Sequence, residues 1–173
     1  MFSGKARLRF ASFSLLFSVS ATAIAADWDG ETSTDWFDVT NWVSNTAPAP
    51  GDSVNIDTVD PNPTIVSGRS TPNLSSLMVG RQGTGHLTIE DGGSIISVRT
   101  NIGAANGSNG ALVVTGSGSI LTSTDLEVGS LGTGELTIQN GGTVQTTSSY
   151  IGSTGTAVGT ATVTGENSTW NLV

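Results

Sequence analysis

Residues 83–94 read GTGHLTIEDGGS, and residues 132–143 read GTGELTIQNGGT. The match is part of a longer one. Aligning Leu77–Thr124 with Leu126–Val173 gives a constant offset of 49, with 18 identities over 48 positions and no gap. Internal repetition at this period is the mark of a stacked architecture, in which each repeat is one supersecondary unit. The unit also divides in two: Gly85, Gly110, Gly134 and Gly159 each precede an apolar alternation and are spaced 25, 24 and 25 residues apart. Residues 77–173 therefore read as four rungs in two 49-residue units.

Within a rung, short alternating runs such as Leu87-Thr88-Ile89 end at turn residues such as Asp91-Gly92-Gly93. That pattern is strand, turn, strand. Stacking in register superposes Leu87, Leu112, Leu136 and Ala161; Ile89, Val114, Ile138 and Val163; and Val79, Ile102, Val128 and Ile151. The predicted fold is all-β, a right-handed parallel β-helix (β-solenoid). One rung holds too few aliphatics to offset the entropy of ordering its backbone, so stability comes from neighbours and the ends need covering. Residues 26–76 supply a cap and first irregular strands: Trp28, Trp36 and Trp42, then a Pro-rich turn, an alternating SVNID at 53–57, and a short strand Thr64–Ser67 among prolines. The final rung has no such cover, and an uncovered strand edge predicts edge-to-edge self-association.

Upstream, residues 1–25 carry Lys5, Arg7 and Arg9 before an uncharged run from Phe10 to Ile24 that closes on Ala23-Ile24-Ala25. This is the layout of a secretory signal peptide, too short and too rich in serine to span a bilayer. Cleavage after Ala25 would move the formal net charge from −8 to −11 and leave a chain without Lys. Such a chain has no basic patch for nucleic acid or anionic lipid, and no later apolar run would insert it into a membrane. The absence of Cys removes disulfides, thiolate nucleophiles and Cys-ligated metals.

The repeat G-x-G-x-L-T-I-x-x-G-G, then I-G, then V-T-G-x-x-S, stands at 83–93, 102–103 and 114–119 and again at 132–142, 151–152 and 163–168. It resembles the repeat shared by autotransporter (type V secretion) passengers and PEP-CTERM surface proteins. The segment DWDG…DWFDVTNW…PAPGDSVNID is similar to the start of such proteins. The resemblance implies a parallel β-helix exposed at, or released from, a Gram-negative cell surface or outer membrane. Neither a translocator barrel nor a Pro-Glu-Pro tail is found in this sequence, and its last unit stops where the previous one runs on through Ser123-Thr124-Asp125-Leu126, so it reads as a truncated copy or as a chain whose continuation is missing.

Since β-helices also carry glycan-degrading enzymes, the acids need weighing. Glu90 and Asp91 are adjacent, so on a strand they face opposite ways. Their counterparts Gln139 and Asn140 cannot act as acid or base, whereas Asp-Gly and Asn-Gly share an aptitude for tight turns. His86, the sole histidine, occupies the position of Glu135 and reads as a surface strand residue. Gly92-Gly93 and Gly141-Gly142 lack the continuation of a Ca²⁺-binding nonapeptide, and Gly103–Gly110 lacks the Lys and helix of a phosphate loop. The three tryptophans could stack on sugars but are better placed as cap packing. No catalytic, cofactor-binding or metal residue is assigned. The expected function is that of an exported, non-enzymatic passenger-type structural or adhesive module with surface glycans or other cell-surface components as partners; the rivals are a β-helical polysaccharide-active enzyme fragment and a nonfunctional remnant.

Overall fold

The computed structural model describes residues 25–173; the proposed signal peptide lies outside them, apart from Ala25. Twelve strands follow one another: β1 (Ala25–Asp27), β2 (Ser53–Ile56), β3 (Thr64–Ser67), β4 (Leu74–Val79), β5 (Thr84–Glu90), β6 (Ser94–Ile102), β7 (Asn109–Thr115), β8 (Ile120–Val128), β9 (Thr133–Gln139), β10 (Thr143–Ile151), β11 (Val158–Thr164) and β12 (Thr169–Leu172). From β2 onward, successive strands alternate between two sheets. One sheet runs β1-β2-β4-β6-β8-β10-β12 and the other β3-β5-β7-β9-β11, with every ladder parallel. The fold is a β-solenoid, with a single 3-10 turn, Val39–Asn41, and no α-helix among the described residues. None of their helical segments is long and apolar enough to cross a membrane.

The three aliphatic columns form as the repeat predicts. Leu87 pairs with Leu112, Leu112 with Leu136 and Leu136 with Ala161. Ile89, Val114, Ile138 and Val163 align beside them, and Val79, Ile102, Val128 and Ile151 align on the other sheet. Their members are fully buried until the last rung, where Ile151 and Val163 are 50% and 47% exposed. Like side chains at strand spacing bury one another, so each member of a column depends on its neighbours for cover.

The stack begins ahead of the detectable repeat. Val54 and Ile56 of β2 pair with Leu77 and Val79, and Thr64 and Val66 of β3 pair with Leu87 and Ile89. This first rung shares the core without sharing the sequence, because its connecting loop 57–63 carries prolines and a cis Asp60–Pro61 bond instead of the repeat's glycines.

Sequence alternation alone did not show a bend inside the nine-residue strands. In β6, β8 and β10 the ladder passes over Val98, Thr124 and Thr147, and Val98 and Arg99 both face outward. Two successive outward residues break the period of two, so each long strand covers two sides of the core. Hydroxyls fill the corner. Ser97 and Thr100 lie 2.6 Å apart (Oγ to Oγ1), Ser97 and Ser123 3.4 Å apart, and Ser149 donates to Thr146 at 2.8 Å. These polar groups satisfy one another at the bend.

Turn chemistry closes the rungs. Asp91 and Asn140 adopt φ of 51° and 52°, followed by Gly92 and Gly141 at 79° and 87°. Asp and Asn tolerate this left-handed region and Gly adopts it freely, which is the property the two residue pairs share. The Ser of V-T-G-x-x-S completes the turn from the neighbouring rung, since Ser119 Oγ accepts the N–H of Gly92 and Ser168 Oγ that of Gly141, each at 3.1 Å. The turn of one rung is thus tied to the turn of the next.

The N-terminal end is closed by the segment between β1 and β2. Trp28, Trp36 and Trp42 are at most 3% exposed. Trp42 meets Trp28 edge-on at 5.2 Å and Trp36 at 4.8 Å between ring centres. Two of the indole N–H groups have a carbonyl partner, Trp28 with Asn62 O at 3.0 Å and Trp42 with Trp36 O at 2.9 Å. Asn41, wholly buried, is the polar hub: its Oδ1 accepts the N–H groups of Thr32 and Ser33, while Nδ2 donates to Ser33 Oγ and Asp35 O. The edge of β3 is covered as well, since Trp36 N donates to Ile65 O and Ile65 N to Thr34 O.

Candidate functional site

Outward positions of β5, β7 and β9 form two neighbouring columns. Thr84, Asn109 and Thr133 make one; His86, Ala111 and Glu135 make the other. Ala111 is the short member between two long ones, which leaves a hollow in the sheet surface. The hollow is deepened by Val59 on the loop after β2, giving a cleft of about 300 Å³ lined by Val59, Thr84, His86, Asn109, Thr133 and Glu135 over a floor of Ala111 and glycine backbone. His86 and Glu135 stand two rungs apart, about 9.6 Å at the ordinary strand spacing.

The wall is firmly held. Asp57 Oδ1 accepts the backbone N–H groups of Arg81, Gln82 and Gly83. Thr58 Oγ1 donates to Asp60 O at 2.7 Å and accepts the Asp60 N–H at 3.2 Å. Gly85 and Gly110 lend only backbone to the floor: they belong to the inward face with Leu87 and Leu112, where a side chain would meet the carbonyls of Ile56 and Val79.

Other residues weighed for chemistry fall elsewhere. Glu90 ends β5 and Asp91 opens the turn, where its Oδ2 accepts a hydrogen bond from Ser67 at 3.2 Å. Gln139 and Asn140 repeat that placement two rungs on, and Asn140 Nδ2 donates to Thr115 Oγ1 at 3.2 Å. The three tryptophans are buried in the cap, with no face free for a sugar. Among the described residues no three His, Asp or Glu side chains gather as a metal site. The one ion pair among them, Arg69–Asp35 at 3.3 Å, is on the surface, with Arg69 also 3.8 Å above the Phe37 ring.

From the sequence His86 reads only as a surface strand residue and no site is assigned here, although the repeat carries the signal. His86 and Glu135 hold equivalent positions in the two units, and in a solenoid equivalence in sequence means one column in space. What the sequence could not supply was the wall, because Val59 comes from an irregular loop outside the repeat. Comparison with family models, with curated proteins and with solved structures found no match.

Proposed function

We propose that the protein is an exported, non-enzymatic β-solenoid serving as a structural or adhesive module at a Gram-negative cell surface, of the autotransporter-passenger or PEP-CTERM kind. The observation that carries this reading is the regular outer array of hydroxyl and amide groups. Thr115, Gln139 and Thr164 form one outward column, Thr122, Gln145 and Asn171 continue another beyond Ile96, and Thr88, Thr137 and Thr162 share a third with Ile65 and Val113. Donors and acceptors repeated every ~4.8 Å suit many weak contacts with a hydroxyl-rich surface. The signal-peptide pattern of residues 1–25 supports export.

The test is production of the full chain in a Gram-negative host. The expected result is a secreted or protease-accessible product beginning at Ala26 that adheres to glycan-coated beads and releases no reducing ends from neutral or acidic polysaccharides. A cytoplasmic product retaining Met1, no adhesion, or polysaccharide cleavage would each overturn the reading.

A further inference from the structure

We infer that the cleft between His86 and Glu135 is a subsite for a single neutral pyranose unit of a glycan. The inference rests on the adhesive reading above and gives it a point of contact. A pyranose ring presents an apolar C–H face surrounded by hydroxyls, each both donor and acceptor. The cleft has the complementary layout. Its floor and wall are Ala111, glycine backbone and Val59, while its rim carries Thr84 and Thr133 hydroxyls, the Asn109 amide, the His86 imidazole and the Glu135 carboxylate. Pockets that bind small molecules combine an apolar bed with a few placed polar groups.

Charge narrows the class. No Lys or Arg lines the cleft, Glu135 contributes a carboxylate, and the chain as a whole is at −8. Uronic, sialylated and sulfated sugars would be repelled, whereas a carboxylate accepts hydrogen bonds well from neutral sugar hydroxyls. The wall is preorganised by the Asp57 and Thr58 bonds, so little loop entropy is lost on binding. Two rungs frame the ring between them, with Ala111 giving the depth that a longer side chain would remove.

The experiment is a titration of isotopically labelled full chain with cellobiose, maltose or N,N′-diacetylchitobiose, and with glucuronic acid as the charged probe, read by backbone amide shifts. Saturable shifts at His86, Ala111 and Glu135 with a neutral disaccharide, and none with glucuronic acid, are expected. Ala111→Leu should weaken that binding by about tenfold or more with an unchanged melting temperature. Glu135→Ala, on the exposed face, gives the same reading if Ala111→Leu does not fold. Absence of saturable shifts at about 20 mM neutral disaccharide, an equal response to glucuronic acid, or shifts that persist in the variants would overturn the assignment. Bead adhesion measured alongside separates the two readings: adhesion without cleft shifts removes only the subsite, and cleft shifts without adhesion remove only the adhesive role.

Discussion

A methyl group placed on Gly110 would stand 2.0 Å from the carbonyl oxygen of Val79. The same clash recurs up the stack, between Gly85 and Ile56, Gly134 and Ile102, and Gly159 and Val128. This column is where the two sheets converge. Gly110→Ala should therefore cost about 3 kcal/mol, since the obstacle is backbone and not a side chain that can move. Gly92→Ala has open space around it and only an unfavourable φ to overcome, so about 1 kcal/mol is expected. Denaturant midpoints of the two variants check the difference; equal losses would show that the sheets do not meet at Gly110.

Ser119 and Ser168 hold the same motif position but different environments, the first fully buried and the second near the last rung. Ser119→Ala strands the N–H of Gly92 and should lower stability by about 1–2 kcal/mol. Ser168→Ala should cost less, because water can replace the lost acceptor. Chemical denaturation of both variants, with amide exchange at Gly92 and Gly141, distinguishes them.

The cap offers an optical probe. Asn41→Ala removes two acceptor and two donor contacts from a buried site and should cost about 3 kcal/mol. The tryptophan emission should shift toward that of solvent-exposed indole at lower denaturant than in the parent protein. Coincident unfolding of tryptophan and far-ultraviolet signals in both proteins, at one unchanged midpoint, would contradict this hub role.

Acid should loosen the same region. Asp38 caps the 3-10 turn, and hydrogen bonds from the Thr40 side chain and then the Thr40 backbone hold its carboxyl below the ordinary carboxylate value. A pKa lowered by folding contributes stability above the unfolded-state value and loses it as pH falls through the folded one. Asp38→Asn should thus be less stable than the parent at neutral pH, with the gap closing below about pH 4. A gap that is the same at pH 7 and pH 2.5 would refute the capping role.

For the 173-residue chain, the side chains exposed on the last described rung predict association. Ile151, Val158, Val163 and Leu172 are 50%, 55%, 47% and 71% exposed at the edge of the last described rung. Val163→Lys points a charge inward from that edge, a device by which sheets refuse further strands. Sedimentation of the parent chain should show concentration-dependent association that the variant lacks; a monomeric parent would remove the expectation.

The legible and illegible parts of this fold divide by whether a residue belongs to a column. Leu87, Ile89 and Val79 announce theirs because the next rung repeats them, and Asp91-Gly92 announces its turn because Asn140-Gly141 keeps the conformation while changing the chemistry. Val98 gave no warning of the strand bend, since its β-branched side chain suits a strand whether the ladder includes it or passes over it. The first rung was recognisable only as isolated strands at 53–57 and 64–67, because Pro61 and Pro63 replace the glycine signals that mark later corners. The cleft combines both cases: His86 and Glu135 were aligned by the repeat, and Val59 could be placed only by the loop.

The bonds from Ser119 to the Gly92 turn and from Ser168 to the Gly141 turn couple two unlike turns, one Asp-Gly or Asn-Gly and the other of the V-T-G-x-x-S kind. Removing a single rung from the gene would set like turn upon like and leave one half of each such pair without its complement. Removing or copying two rungs together would leave every column continuous. Gain or loss of 49 residues at a time would therefore keep the packing intact, each step altering the stack by about 9.6 Å. The length of such a stack is set by the number of units and is independent of its cross-section.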